Sequence, residues 1–144
     1  MVKPASSAGS GLTRSLGRMG IRLAIGTGKC ADYSDNGDPI VRELCSHLRS
    51  RVSYLRSLSV ERLLSIPRQA TEIEPIGSTR AAISTYRDPT EAGTELVVVQ
   101  GFLPSWRHAR YFGSVGVGLM LAEGLLLLEE GVIDAPDSVM WGYR

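Results

Sequence analysis

Hydrophobic positions change period about halfway along the chain. Ile40, Leu44, Leu48, Val52 and Leu55 recur at helical spacing and fall on one stripe. Asp38 can cap that helix and Pro39 suits its first turn. The spacing therefore predicts a helix from residue 38 to about residue 58. Ser59 can cap a shorter second helix over residues 60–65, which Pro67 ends. After Pro67 the period drops to two. Residues 71–76 and 79–86 alternate and are joined by Gly77-Ser78, the signature of a hairpin. A loop over residues 88–93 follows. Residues 95–103 are rich in valine and nearly all apolar, as in a strand buried on both faces.

Residues 109–134 hold two long apolar runs separated by Ala122-Glu123-Gly124. Leu, Met, Ala and Glu favour a buried helix over residues 117–130, capped by Gly131. Strand is the preferred reading, because Gly124 would sit mid-helix and the flanks resemble hairpins. Glu123 then marks a hairpin tip, and Glu129-Glu130-Gly131 a second tight turn. Asp137 can cap a last helical turn holding Val139, Met140 and Trp141.

Helices first and strands afterwards imply an α+β fold. The expected architecture is an N-terminal helix, with a short second helix, on one face of a mainly antiparallel sheet of about five strands. Leu119-Met120-Leu121 and residues 125–128 are apolar on both faces of any strand. One helix covers one face only. The other must meet the N-terminal extension, a strongly curved sheet or a second chain, and if open it would mark an interaction site.

Length and composition add the limits. At 144 residues and 43% hydrophobic, the chain can build one core and is read as soluble. Residues 1–37 read as a flexible basic extension, and residues 38–144 as a single domain. The extension carries Lys3, Arg14, Arg18, Arg22 and Lys29, and no acid before Asp32. Its arginines recur at helical spacing. The same composition describes a transit peptide, so organelle targeting is the alternative to a cytoplasmic location. A start-site extension is a third account. No apolar run approaches the ~20 residues of a spanning helix.

Charge is segregated. Residues 39–68 hold six Arg against Glu43 and Glu61, whereas residues 69–144 hold five Arg against ten acids. That asymmetry concerns association rather than fold. The two cysteines, Cys30 and Cys45, make no disulfide framework, and Cys45 falls on an apolar helical position, as a reduced buried thiol would.

Motifs for chemistry fail on inspection. Gly26-Thr27-Gly28-Lys29 lacks the first glycine and final hydroxyl of a phosphate loop, where Leu23 and Cys30 stand. Gly113, Gly116 and Gly118 are spaced in the reverse order of a dinucleotide fingerprint. Ser114 lacks the first glycine of a nucleophile elbow. Cys45 and His47 lie on different helix faces and are poor joint ligands. No catalytic residue, cofactor or metal is expected.

The expected function is non-enzymatic intracellular protein binding, as in toxin-neutralising proteins of this size, with a protein partner or a homodimer. Its candidate contacts are Arg42, Arg49 and Arg56, seven residues apart on the helix, with Trp106, Arg107 and Arg110. The first alternative is a small enzyme or ligand-binding domain with a pocket between helix and sheet, drawing on Cys45, Tyr86, His108 or Glu123. The second is a nucleic-acid-binding module, in which the same arginines contact phosphate and Trp106 stacks on a base.

Overall fold

The computed structural model describes residues 25–33, 37–104 and 118–143. The fold is α+β: a long helix packed on a five-strand antiparallel sheet, with short helices beside it. Helix α1 (Pro39–Arg56) begins where the sequence places it. The Asp38 carboxylate accepts the Ile40 N–H at 3.0 Å, and Pro39 occupies the first turn. Val41, Leu44, Cys45, Leu48 and Leu55 form its buried face, and Ile40 and Val52 are half-buried beside them. The helix ends at Ser57, whose hydroxyl donates to the Tyr54 carbonyl at 2.6 Å. Ser59 caps α2 (Val60–Leu64) by accepting the Arg62 N–H at 3.2 Å.

Five strands follow as a meander: β2 (Gln69–Ile76), β3 (Thr79–Pro89), β4 (Glu95–Pro104), β5 (Gly118–Leu128) and β6 (Gly131–Asp134). Each is antiparallel to the next. The β2–β3 turn needs a left-handed residue, and Gly77 supplies it at φ 58°. Residues 118–128 are one continuous strand, paired with β4 over residues 118–127. Strand rather than helix is thus correct, but the expected hairpin tip at Glu123 is not. Glu123 lies mid-strand opposite Val99, and the turn comes only at residues 129–130.

A sixth strand comes from the segment assigned by composition to the extension. β1 (Ile25–Gly28) pairs parallel with Gly118–Leu121 of β5. The 3-10 turn Cys30–Tyr33 follows it. β1 and β6 share one edge of β5, whose other edge belongs to β4. Residues 1–24 of the expected extension lie outside the described residues.

Alternation sorts the sheet into two faces. Ile83, Val97, Val99, Leu103, Leu119, Leu121, Leu125 and Leu127 form the main core with α1. At Gly101 a Cβ would stand 2.9 Å from Leu44 Cδ1, so the missing side chain lets the helix approach β4. The opposite face, which was expected to need the extension, a curled sheet or a second chain, is met by the C-terminal segment. Ala135, Met140 and Tyr143 pack there against Leu96, Val98 and Ala122. That segment comprises α3 (Asp137–Met140) and the 3-10 turn Trp141–Tyr143. Asp137 is the first residue of α3 rather than its cap, a place taken by Pro136. Its carboxylate accepts Lys29 Nζ at 2.6 Å, tying the end of the chain to the segment after β1.

Candidate functional site

Two places in the structure bring chemically distinctive groups together. One is an open groove between the β3–β4 loop and the C-terminal segment, with a volume of about 400 Å³. Leu96, Leu126 and Val139 provide apolar lining, and Asp88 and Glu91 add carboxylates. Trp141 also lines it. At 74% exposed it is the most open large hydrophobic side chain among the described residues. The reason lies in the short 3-10 turn: Met140 and Tyr143 face the sheet and are buried, so Trp141 is turned outward.

Beneath the groove, the Tyr143 hydroxyl donates to Asp88 Oδ2, and its ring lies 6.4 Å from that of Tyr86. Burial first, then the hydrogen bond and charge of Asp88, push the Tyr143 phenol well above its ordinary range. The folded state therefore holds this proton more tightly than the unfolded chain. The associated stability is fully present below a pH of about 10, the ordinary phenol value, and is lost as pH rises beyond it toward the higher folded value. Tyr143→Phe is expected to flatten that alkaline loss while lowering stability at neutral pH. Urea midpoints at about pH 8 and about pH 11 measure both effects. An unchanged slope would show that Tyr143 is not the group being titrated.

The second place lies between α1 and the sheet. Cys30 and Cys45 are fully or almost fully buried in the same core cluster and are not disulfide-linked. The Cys30 backbone N–H donates to Glu123 Oε2 at 2.8 Å. This contact explains an acid in mid-strand: Glu123 faces α1 because its neighbours Leu121 and Leu125 do, and it satisfies a donor beyond the end of β1. Contact with Cys45, followed by burial, pushes the Cys30 thiol up. Donation from Cys30 lowers Cys45 against the opposing effect of burial, and Arg49 lowers it further.

The expected site residues are only partly assembled. Arg42, Arg49 and Arg56 are all exposed on α1, but they do not act as one free stripe. Arg56 is paired with Asp134, and Arg49 acts on the thiols. Trp106, Arg107, His108 and Arg110, with Gly113, Ser114 and Gly116, lie outside the described residues. Of the groups suggested for a pocket between helix and sheet, Cys45 and Glu123 do converge, whereas Tyr86 faces the other side of the sheet. Cys30, Asp88 and Trp141 were not singled out as site residues. The available signals were a second cysteine and a C-terminal tryptophan, but neither contact nor exposure can be read from their neighbours in sequence.

A further groove, of about 370 Å³, runs beside α1 and holds His47, Arg51 and Glu74. These groups bond mainly to one another: His47 Nδ1 to Glu74 at 3.0 Å, and Arg51 to Glu72 and Glu74 at 3.1 and 2.9 Å. Among the described residues no cluster of three or more His, Cys, Asp or Glu side chains could hold a metal ion. No described helix is long and apolar enough to cross a membrane. Comparison with known proteins finds no family model, curated protein or solved structure that matches the chain.

Proposed function

We propose that this chain is a protein-binding domain whose recognition surface is the groove around Trp141. The exposure of Trp141 beside an apolar floor carries the reading. Tryptophan is enriched among residues that dominate interface energies, because it buries a large rigid surface at little entropic cost. The carboxylates of Asp88 and Glu91 specify the partner's chemistry: an apolar segment bearing an Arg or Lys side chain, whose cation can meet both acid and indole face. The groove beside α1 is a weaker candidate, since its charges already engage each other and would have to be separated. Two buried unlinked thiols support a reducing, intracellular setting.

The test is site-specific photo-crosslinking in the native cells, from position 141 and, as control, from the exposed surface position 73, which lines neither groove. Mass spectrometry identifies the adduct, and the purified partner is then titrated. A discrete adduct from position 141 alone is expected. Trp141→Ala should weaken the reconstituted complex at least tenfold, equivalent to about 1.4 kcal/mol. Adducts equal from both positions, or a complex indifferent to Trp141→Ala, would overturn the reading.

A further inference from the structure

The C-terminal segment packs on one end of its face of the sheet, over Leu96, Val98 and Ala122 with Tyr86 beside them. Alternate residues of a strand share a face, so Phe102 and Met120 point the same way as Val98 and Ala122, further along their strands. With Ala82 they form one row: Ala82 pairs with Phe102, and Phe102 with Met120. All three are half-buried, and Phe102 and Met120 join neither core cluster. Ile73 continues the row on β2 but is exposed. Between the row and the C-terminal segment stands Gln100, whose partners in register are Ser84 and Ala122. Gln100 is only 7% exposed, and among the described residues nothing hydrogen-bonds its side-chain amide. A buried amide is costly to leave unpaired. Row and amide together describe a contact that is incomplete.

The chain before β1 arrives at the same place. β1 runs parallel to β5, and its first residue, Ile25, lies beside Gly118. The Phe102 ring stands over that glycine: a Cβ there would lie 2.7 Å from Phe102 Cζ. Residues 1–24 therefore meet the sheet at the open end of this face. Their later half has the pattern such a row needs. Leu12, Leu16, Met19 and Leu23 recur every three or four residues, as one stripe of a helix. Arg14, Arg18 and Arg22 fall on the opposite side of that helix. A helix over residues 12–23 would be about 18 Å long, and the three strand spacings from β1 to β3 come to about 14 Å.

We propose that residues 12–23 dock as an amphipathic helix across Ala82, Phe102 and Met120 of their own chain. The apolar stripe covers the row. Thr13 and Ser15 flank the stripe and supply hydroxyls for the Gln100 amide. The arginines are left facing outward, as a basic ridge on this side of the sheet. A segment tethered beside the row has a high effective concentration there, which a separate partner would have to match. The contact lies at the other end of this face from the Trp141 groove and does not depend on what that groove binds.

The full chain is made with photo-methionine in place of methionine, which puts a small photoreactive group at both Met19 and Met120. Equal parts of isotopically light and heavy chain are mixed before illumination, and linked peptides are located by fragmentation. The expected product is a link within one chain, joining Met19 to the Phe102 or Met120 region, or Met120 to residues 12–23. Leu16→Asp puts a charge into the stripe and should lower the yield of that link on the order of tenfold. Arg14→Gln, on the outer side, should leave it unchanged. Links between light and heavy chains would give the row to a second copy, and links from Met120 to residues 105–117 alone would give it to that segment. Either result, no link between residues 12–23 and the sheet, or a yield indifferent to Leu16→Asp would overturn the proposal. The wild-type link decides it even if Leu16→Asp fails to fold.

Discussion

Replacing Leu44 by alanine is expected to destabilise the fold by about 2–5 kcal/mol. Leu44 is wholly buried at the point where α1 crosses the sheet. Gly101 lies directly beneath it: a Cβ there would meet Leu44 Cδ1 at 2.9 Å and Leu48 Cδ2 at 3.1 Å. The complementary change, Gly101→Ala, overpacks the same joint and is expected to cost about 1–3 kcal/mol. Both leucine atoms are ends of flexible side chains, which keeps the cost within that range. The two changes together provide the stronger test. Removing the Leu44 side chain clears space for the new methyl, so the double variant should be more stable than the sum of the singles implies, by at least about 0.5 kcal/mol. Urea unfolding followed by circular dichroism measures all four corners of the cycle. Strict additivity would mean that helix and strand do not meet at these atoms.

Gly124→Val is expected to loosen the opposite face, with a loss of about 1–3 kcal/mol. The added Cβ would lie 2.5 Å from Met140 Sδ, 3.2 Å from its methyl and 3.4 Å from the Val97 carbonyl. Met140 is wholly buried with Ala122 and Val98, and its displacement by the bulkier residue is expected to lift α3. The Ala135 N–H donates to the Gly124 carbonyl at 3.0 Å and reports on that seating. Its amide should exchange early in Gly124→Val, while the amides of α1 and β4 stay protected to the global limit. Trp141 is the residue after Met140, so the same variant should lose groove binding with the core still folded. Met140→Ala in the Gly124→Val background should restore part of the protection by relieving the clash. Unaltered exchange at Ala135 would refute this account of how the C-terminal segment is seated.

Segment by segment, legibility followed the range of the forces involved. The stripe Ile40, Leu44, Leu48, Val52 and Leu55, with Asp38 and Pro39 before it, marks α1 because capping and helical amphipathicity act within a few residues. Alternation and Gly77-Ser78 mark the β2–β3 hairpin for the same reason. Ile25–Gly28 carries no comparable signal. Four residues with two glycines have little intrinsic tendency to extend, and they form a strand because the free edge of β5 has backbone groups to pair. Glu123 was misread as a turn because a charge inside an apolar run usually marks one. Its actual support, the Cys30 N–H, comes from a segment far away in the chain.

The sequence by itself determined the main helix, the order and approximate limits of strands β2 to β4, the extended character of the apolar runs on either side of Glu123, and hence the α+β class, since each depends on local periodicity and turn chemistry. It also required that the apolar residues of β5 be covered on two faces, because a strand turns successive side chains to opposite sides. Only the tertiary structure decided what covers them: α1 on one face, the C-terminal segment with Met140 and Tyr143 on the other. The same packing turns Trp141 outward over a groove and gathers Cys30 and Cys45 into one buried cluster. Burial and contact are relations between distant segments, and many arrangements of the same local elements would satisfy the same periodicities.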